Sequence, residues 1–162
     1  MADLTLERLR ELLEYNQETG GFTWRVRRGP ARAGSKAGSV GRAGYLSIET
    51  GGRVYQAHRL AWFYVYGEWP LGDLDHKDMV KTNNRIDNLR LATPSQNKAN
   101  SRLHRNNTSG LKGAHYRRRR RGGRWQAKIQ QVSLGHFDTA EEAHAAYVKA
   151  AQERFGEFAR SR

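Results

Sequence analysis

The sequence has no cysteine and only three prolines in 162 residues, and it holds no apolar run near the roughly 18 residues a membrane helix needs. Without cysteine there is no disulfide framework, thiol nucleophile or Cys-based structural zinc site. The start, Met1 to Glu7, lacks the basic flank and apolar centre of a secretory signal, so a soluble, intracellular protein is expected. A third absence is local: residues 88–137 contain twelve basic side chains and no acidic one. Residues 1–87 are nearly balanced, with 13 basic and 11 acidic, and the last 25 residues hold 4 and 5. The net charge of +13 and the isoelectric point near 10.6 therefore come from one 50-residue stretch, which predicts a polyanionic partner.

Apolar spacing predicts the elements. Leu6, Leu9, Leu12 and Leu13 recur at helical intervals, with Asp3 or Thr5 as cap, so a helix is expected over 4–15. Phe22, Trp24 and Val26 alternate as in a half-buried strand, and a basic, glycine-rich loop follows over 28–44. Strands over 45–50 and 53–57 meet at Gly51-Gly52 as a hairpin. Residues 58–66, apolar and aromatic nearly all round, read as a buried helix closed by Gly67 and Pro70. Residues 71–100 are too polar to be mostly core, and 101–110 read as a linker. Strands are then expected over 114–119, 124–130 and 132–137, followed by a helix with a capping box at Thr139 and Glu142 and a stop at Gly156. The sequon at Asn106-Asn107-Thr108 is read as polar linker.

Chemistry concentrates in Asp75-His76-Lys77-Asp78, Asn83-Asn84 through Asn88-Leu89-Arg90, and Thr93 through Asn97. A strand ending in Asp-His, an Asn-rich loop, a strand over 89–92 and a helix opened by Thr93 and Pro94 would form a ββα unit. Metal-assisted activation of water needs a hard oxygen site for a cation, a neutral imidazole to take a proton from water, and an amide to hold that imidazole. Asp75, His76, Asn88 and Asn97 supply those types. These motifs, with His58-Arg59-Leu60 upstream, resemble the HNH endonucleases, in the branch of phage and intron homing enzymes, over about residues 1–100. The resemblance implies that His76 is the general base, that Asp75 and Asn97 hold one divalent metal ion, and that Asn88 orients the base or the loop, with Asn84 a weaker candidate for that role. Many members have histidine where this chain has Asn97, and an amide oxygen there shifts the expected ion toward Mg2+ or Mn2+.

Leu111 to Arg117, Arg124 to Ile129 and Leu134 to Tyr147 are similar to the ethylene-responsive-factor (APETALA-type) DNA-binding domain, over 109–158. That resemblance implies a three-stranded antiparallel sheet on one helix, with the sheet against the major groove. Alternation puts Arg117 with Arg119 on one face, and Arg124, Gln126 and Lys128 on one face of the next strand, while Trp125 points to the core. Arg90, Lys98, Arg102 and Arg105 are expected to add DNA contacts.

The expected fold class is α+β: an N-terminal HNH nuclease domain with a ββα-metal motif over 1–100 (core 71–100), a linker over 101–110, and a small three-stranded antiparallel sheet packed on one helix over 111–160. The expected function is a metal-dependent DNA endonuclease that nicks one strand per active site, with one Mg2+ or Mn2+ and catalytic His76, Asn88 and Asp75. Double-stranded DNA is the expected partner, the chain is expected to be a monomer or weak homodimer with no membrane association, and the expected setting is the cytoplasm of a bacterial host carrying a phage or mobile element. The rival readings are a DNA-binding regulator built on a decayed HNH domain and a basic RNA-associated protein. The remaining histidines, His104, His115, His136 and His144, are read as structural, and His58 as a helix-start or core residue.

Overall fold

The computed structural model describes residues 4–118 and 123–161. Its chain divides into two compact units, residues 1–93 and 94–162.

In the first unit, helix α1 (Leu6–Leu12) is capped by Thr5, whose Oγ1 accepts from Arg8 N. The helix stops three residues short of the predicted end. Leu13 to Asn16 alternates buried and exposed residues and forms strand β1 (Leu13–Asn16), antiparallel to β2 (Gly21–Trp24) with Leu13 opposite Trp24. Leu13 and Tyr15 satisfy both periodicities, and pairing with a neighbouring strand decided between them. Val26, predicted to extend β2, lies beyond it and is 41% exposed.

Strands β3 (Ser39–Val40), β4 (Leu46–Thr50) and β5 (Arg53–Gln56) make an antiparallel sheet in that order. The β4–β5 turn has φ of 59° at Gly51 and 74° at Gly52, the left-handed pair that a two-residue hairpin matching strand twist requires. Helix α2 (Ala57–Tyr66) ends at Gly67, whose N–H donates to Phe63 O. Leu9, Leu13, Ile48, Leu60 and Ala61 are fully buried together with Phe22, and burying a side chain of the leucine or phenylalanine class stabilises by about 2 kcal/mol. A hairpin of β6 (Asp73–His76) and β7 (Leu89–Ala92) completes this unit, its register placing Asp75 opposite Arg90 and His76 opposite Leu89. Leu74, Leu89 and Ala92 are buried, so this polar region does contribute apolar contacts.

The second unit begins with helix α3 (Pro94–Ala99). The unit boundary therefore falls at Thr93, ahead of the predicted 101–110 linker, and that segment is tied to the second unit. Lys112 Nζ donates to Ala99 O (2.6 Å) and Ser101 O (2.7 Å), Asn107 Nδ2 to Leu111 O (3.1 Å), and Ser109 Oγ to Ala114 O (2.9 Å). Polar composition suggested a free linker, but short hydrogen-bonding side chains serve equally to fasten irregular chain to a sheet.

Strands β8 (Ala114–Arg117), β9 (Arg124–Ile129) and β10 (Val132–Phe137) form the predicted antiparallel sheet, with β9 central. Helix α4 (Ala140–Phe155) carries the full capping box, with Thr139 Oγ1 accepting from Glu142 N and the Glu142 carboxylate accepting from Thr139 N. Ala143, Tyr147, Ala151 and Phe155 line its buried face, and Ala114, Ala127 and Ala143 meet at the centre of a small core that includes Trp125 at its edge. The strand stops at Arg117, one residue before Arg118, and Arg119, the end of the predicted 114–119 strand, lies outside the described residues.

Candidate active site and nucleic-acid interface

Strand β6 ends by placing two adjacent chemical groups, Asp75 and His76, each 5% exposed. Their surroundings differ. Arg90 on β7 donates through Nε and Nη2 to Asp75 Oδ2, both at 2.9 Å, and the two side chains are 11% and 5% exposed. The carboxylate is thus held by a buried guanidinium that is itself almost out of solvent, a charge-assisted pairing. Arg90, expected as a DNA contact, has this neighbour because the hairpin register puts it directly across from Asp75.

His76 Nε2 lies 3.2 Å from Asn84 Oδ1. An amide oxygen only accepts, so Nε2 donates its proton and Nδ1 is the basic ring nitrogen. Asn84 is 1% exposed, and its backbone is fixed from below: Tyr15 Oη donates to Asn84 O at 2.6 Å, and Gly20 sits so close that a Cβ there would come within 2.4 Å of Arg85 N. The Tyr15 hydroxyl is pushed up to about 12, chiefly by burial. The β1–β2 turn, far away in sequence, is therefore part of what supports the imidazole.

Asn88 serves the loop between the two strands. Its Nδ2 donates to Asp78 Oδ1 (3.0 Å) and Asn83 O (2.8 Å), and its Oδ1 accepts from Asp78 N (3.2 Å). Asp78 also accepts from Asn83 Nδ2 at 2.6 Å. Partial burial pushes the Asp78 carboxyl up, but hydrogen bonds from Asn83, Val80 N and Asn88, with the charge of His76, bring it below its ordinary range. Of the two asparagines, Asn84 touches the imidazole and Asn88 closes the loop.

Two more rings complete this side. His58, on the first turn of α2, packs edge to face on His76 with centroids 5.2 Å apart, and Tyr45 lies 5.4 Å from His58 and 6.0 Å from His76. His58 is pulled down to about 4, first by burial and then by electrostatic interaction with His76 and Arg59, so it is neutral at physiological pH. The sequence reads His58 as a helix-start or core residue, and it is both; its contact with His76 depends on how α2 meets β6, which no local pattern encodes.

Among the described residues no group of three or more His, Asp or Glu side chains is placed to hold a metal ion. One carboxylate and amide oxygens suit a hard cation that keeps several waters and is completed by phosphate. Asn97, the other expected ligand, lies half-buried on α3.

In the second unit, Arg117, Arg124, Gln126 and Lys128 share the sheet face away from α4, joined by His115 and His136, which both register with Gln126. Arg117 Nε donates to Gln126 Oε1 (3.0 Å), and Gln126 Nε2 to Ser133 Oγ (2.9 Å). These links space the side chains across the strands. Lys98, Arg102 and Arg105 are exposed beside that sheet, and Arg119 falls outside the described residues.

Comparison with known proteins agrees with these motifs. The family model for HNH endonuclease matches residues 55–99, from β5 to α3, a narrower and more central span than the expected 1–100. Protein 3.8 of Escherichia phage T7 is 34% identical over 109 residues, covering 65% of this chain and 88% of that protein. An uncharacterized HNH endonuclease, L560, of Acanthamoeba polyphaga mimivirus is 34% identical over 128 residues, covering 74% of this chain, and this chain spans 63% of its length. A solved structure of DNA binding and cleavage by the HNH homing endonuclease I-HmuI is similar at 24% identity and a TM-score of 0.44, over 62% of this chain and 57% of that one. Residues 55–99 thus match the HNH endonuclease family, a class of DNA-cleaving hydrolases, and the chain is a relative of protein 3.8 over most of that protein's length.

Proposed function

We propose that the protein is a metal-dependent DNA endonuclease in which His76 takes a proton from the attacking water. The observation that carries this reading is the buried pair at the end of β6: an imidazole held through Nε2 by Asn84, next to a carboxylate in sequence, within the segment that matches the HNH endonuclease family. With Nε2 occupied as donor, Nδ1 receives the proton, and the neighbouring His58 stays neutral and adds no competing positive charge. Asn88 keeps the 77–88 loop closed, so the base is presented from a fixed frame. Asp75 would hold Mg2+ or Mn2+, and the motif names Asn97 as a second oxygen donor. When bound, the ion supplies positive charge to the phosphorane and the leaving 3′ oxygen. Arg90 fixes the orientation of the Asp75 carboxylate.

One such site cuts one strand per visit, so a monomer nicks. The sheet-and-helix unit, in the manner of the ethylene-responsive-factor domain it resembles, lays Arg117, Arg124, Gln126 and Lys128 against duplex DNA, with Arg119 as a further contact. Arginine there can grip guanine or phosphate, and Lys128 phosphate. The phage source of protein 3.8 supports an origin in a phage or mobile element, for which a bacterial cytoplasm is the setting we propose. Incubation with supercoiled plasmid tests this reading: open circles appear with Mg2+ or Mn2+ and vanish with EDTA. Metal-independent conversion, or none in any metal, contradicts it.

A further inference from the structure

The second unit contains a concavity that the flat sheet face does not explain. A cleft of roughly 660 Å3 opens between α3, the 101–107 segment, the end of β9 and α4. Lys98, Arg102, Arg105 and Lys128 stand on its walls, its floor is Ile129, Tyr147 and Phe155, and no Asp or Glu among the described residues lines it. Lys112 Nζ is committed to the carbonyls of Ala99 and Ser101, which fastens the Arg-bearing wall to the sheet. The walls are thus built rather than incidental. Arg102, Arg105 and Lys98 are exposed, while His104 and His115 bring two exposed imidazole rings to the same opening.

Shape decides what such a cleft can take. Duplex DNA is a rod about 20 Å across, with a major groove about 12 Å wide, and cannot enter a recess of this volume. A single strand can, because its phosphates can follow the cations while an unstacked base lies against a ring or a guanidinium plane. Two cleft residues, His115 and Lys128, belong also to the exposed sheet face, so the cleft borders the face on which we place the duplex. We propose that this cleft is a binding site for unpaired, single-stranded DNA, separate from the sheet face that takes the duplex. The proposal rests on the DNA endonuclease reading for its biological sense, but its chemistry concerns the cleft alone.

The test compares the affinities of the full-length protein for an oligothymidylate of roughly 20 nucleotides and for a duplex of the same length, across salt concentrations. The variants are R102A/R105A in the cleft and R117A/R124A on the sheet, each checked by circular dichroism. R102A/R105A is expected to weaken oligothymidylate binding at least about tenfold and to reduce its log–log salt slope by about 1.4, with duplex binding changed less than about threefold. R117A/R124A is expected to show the reverse preference. In an oligonucleotide carrying 2-aminopurine, H104A and H115A are expected to remove quenching of that base. Equal losses for both ligands in R102A/R105A, or no loss of oligothymidylate binding, overturn the cleft site. A wild-type protein that binds oligothymidylate through the cleft yet nicks no plasmid overturns the endonuclease reading and leaves the cleft standing.

Discussion

Arg90 and Asp75 form a buried ion pair, so removing one takes away part of what compensates the other's burial. Arg90→Ala is expected to cost about 3 kcal/mol in urea unfolding, and adding Asp75→Asn to recover part of that loss. Equal or additive losses contradict the pairing. Asn84→Ala is expected to lower kcat by about a factor of ten or more with little change in KM, because the imidazole loses its anchor and the DNA contacts lie elsewhere. His58 gives a pH signature. Its pKa falls to about 4 in the folded protein from an ordinary 6.5, so between these values the unfolded chain binds the extra proton. The stability it supports is present above pH 6.5 and is lost as pH falls toward 4. Thermal melting followed over that range is expected to show a shallower decline in His58→Phe than in wild type. The residue types of the proposed site are readable in order and spacing, down to Asp75-His76 and the two asparagines. Their partners are not, because Arg90 meets Asp75 through a strand register and Asn84 is positioned by Tyr15 and Gly20 from a distant turn.

At the level of elements, local signals succeeded where one signal was uncontested. The capping box at Thr139 and Glu142, the Gly51-Gly52 hairpin and the Gly67 stop all form as their chemistry dictates. They failed where two structures shared a pattern, as at Leu13 to Asn16, or where polar chain is bound rather than free, as at 101–110. Thr139→Ala is expected to cost about 1 kcal/mol in unfolding of the second unit, through loss of the bond to Glu142 N. Gly20→Ala is expected to destabilise more, at about 2 kcal/mol, and to lower cleavage as well, since φ is +70° and the added Cβ displaces the backbone beneath Asn84. A G20A protein with unchanged kcat contradicts the support assigned to that turn.

Over the whole molecule, the charge separates along the unit boundary. Residues 94–162 hold 15 basic and 5 acidic side chains, leaving residues 1–93 close to neutral. The second unit therefore carries the charge that the proposed counterion-releasing contacts with DNA would use. Changing Arg117, Arg124 and Lys128 together to Gln is expected to lower the log–log salt slope of duplex binding by about 2 to 3 while leaving the cleavage rate of bound DNA similar. An unchanged slope would remove the sheet as the duplex anchor. The claim beneath all of this is that His76 performs the proton transfer, and the most direct measurement is supercoiled-plasmid nicking by His76→Ala in Mg2+ and Mn2+, with DNA affinity measured on the same preparation. The account predicts cleavage lowered at least about a hundredfold with affinity within about threefold of wild type; nicking that persists near the wild-type rate would contradict it.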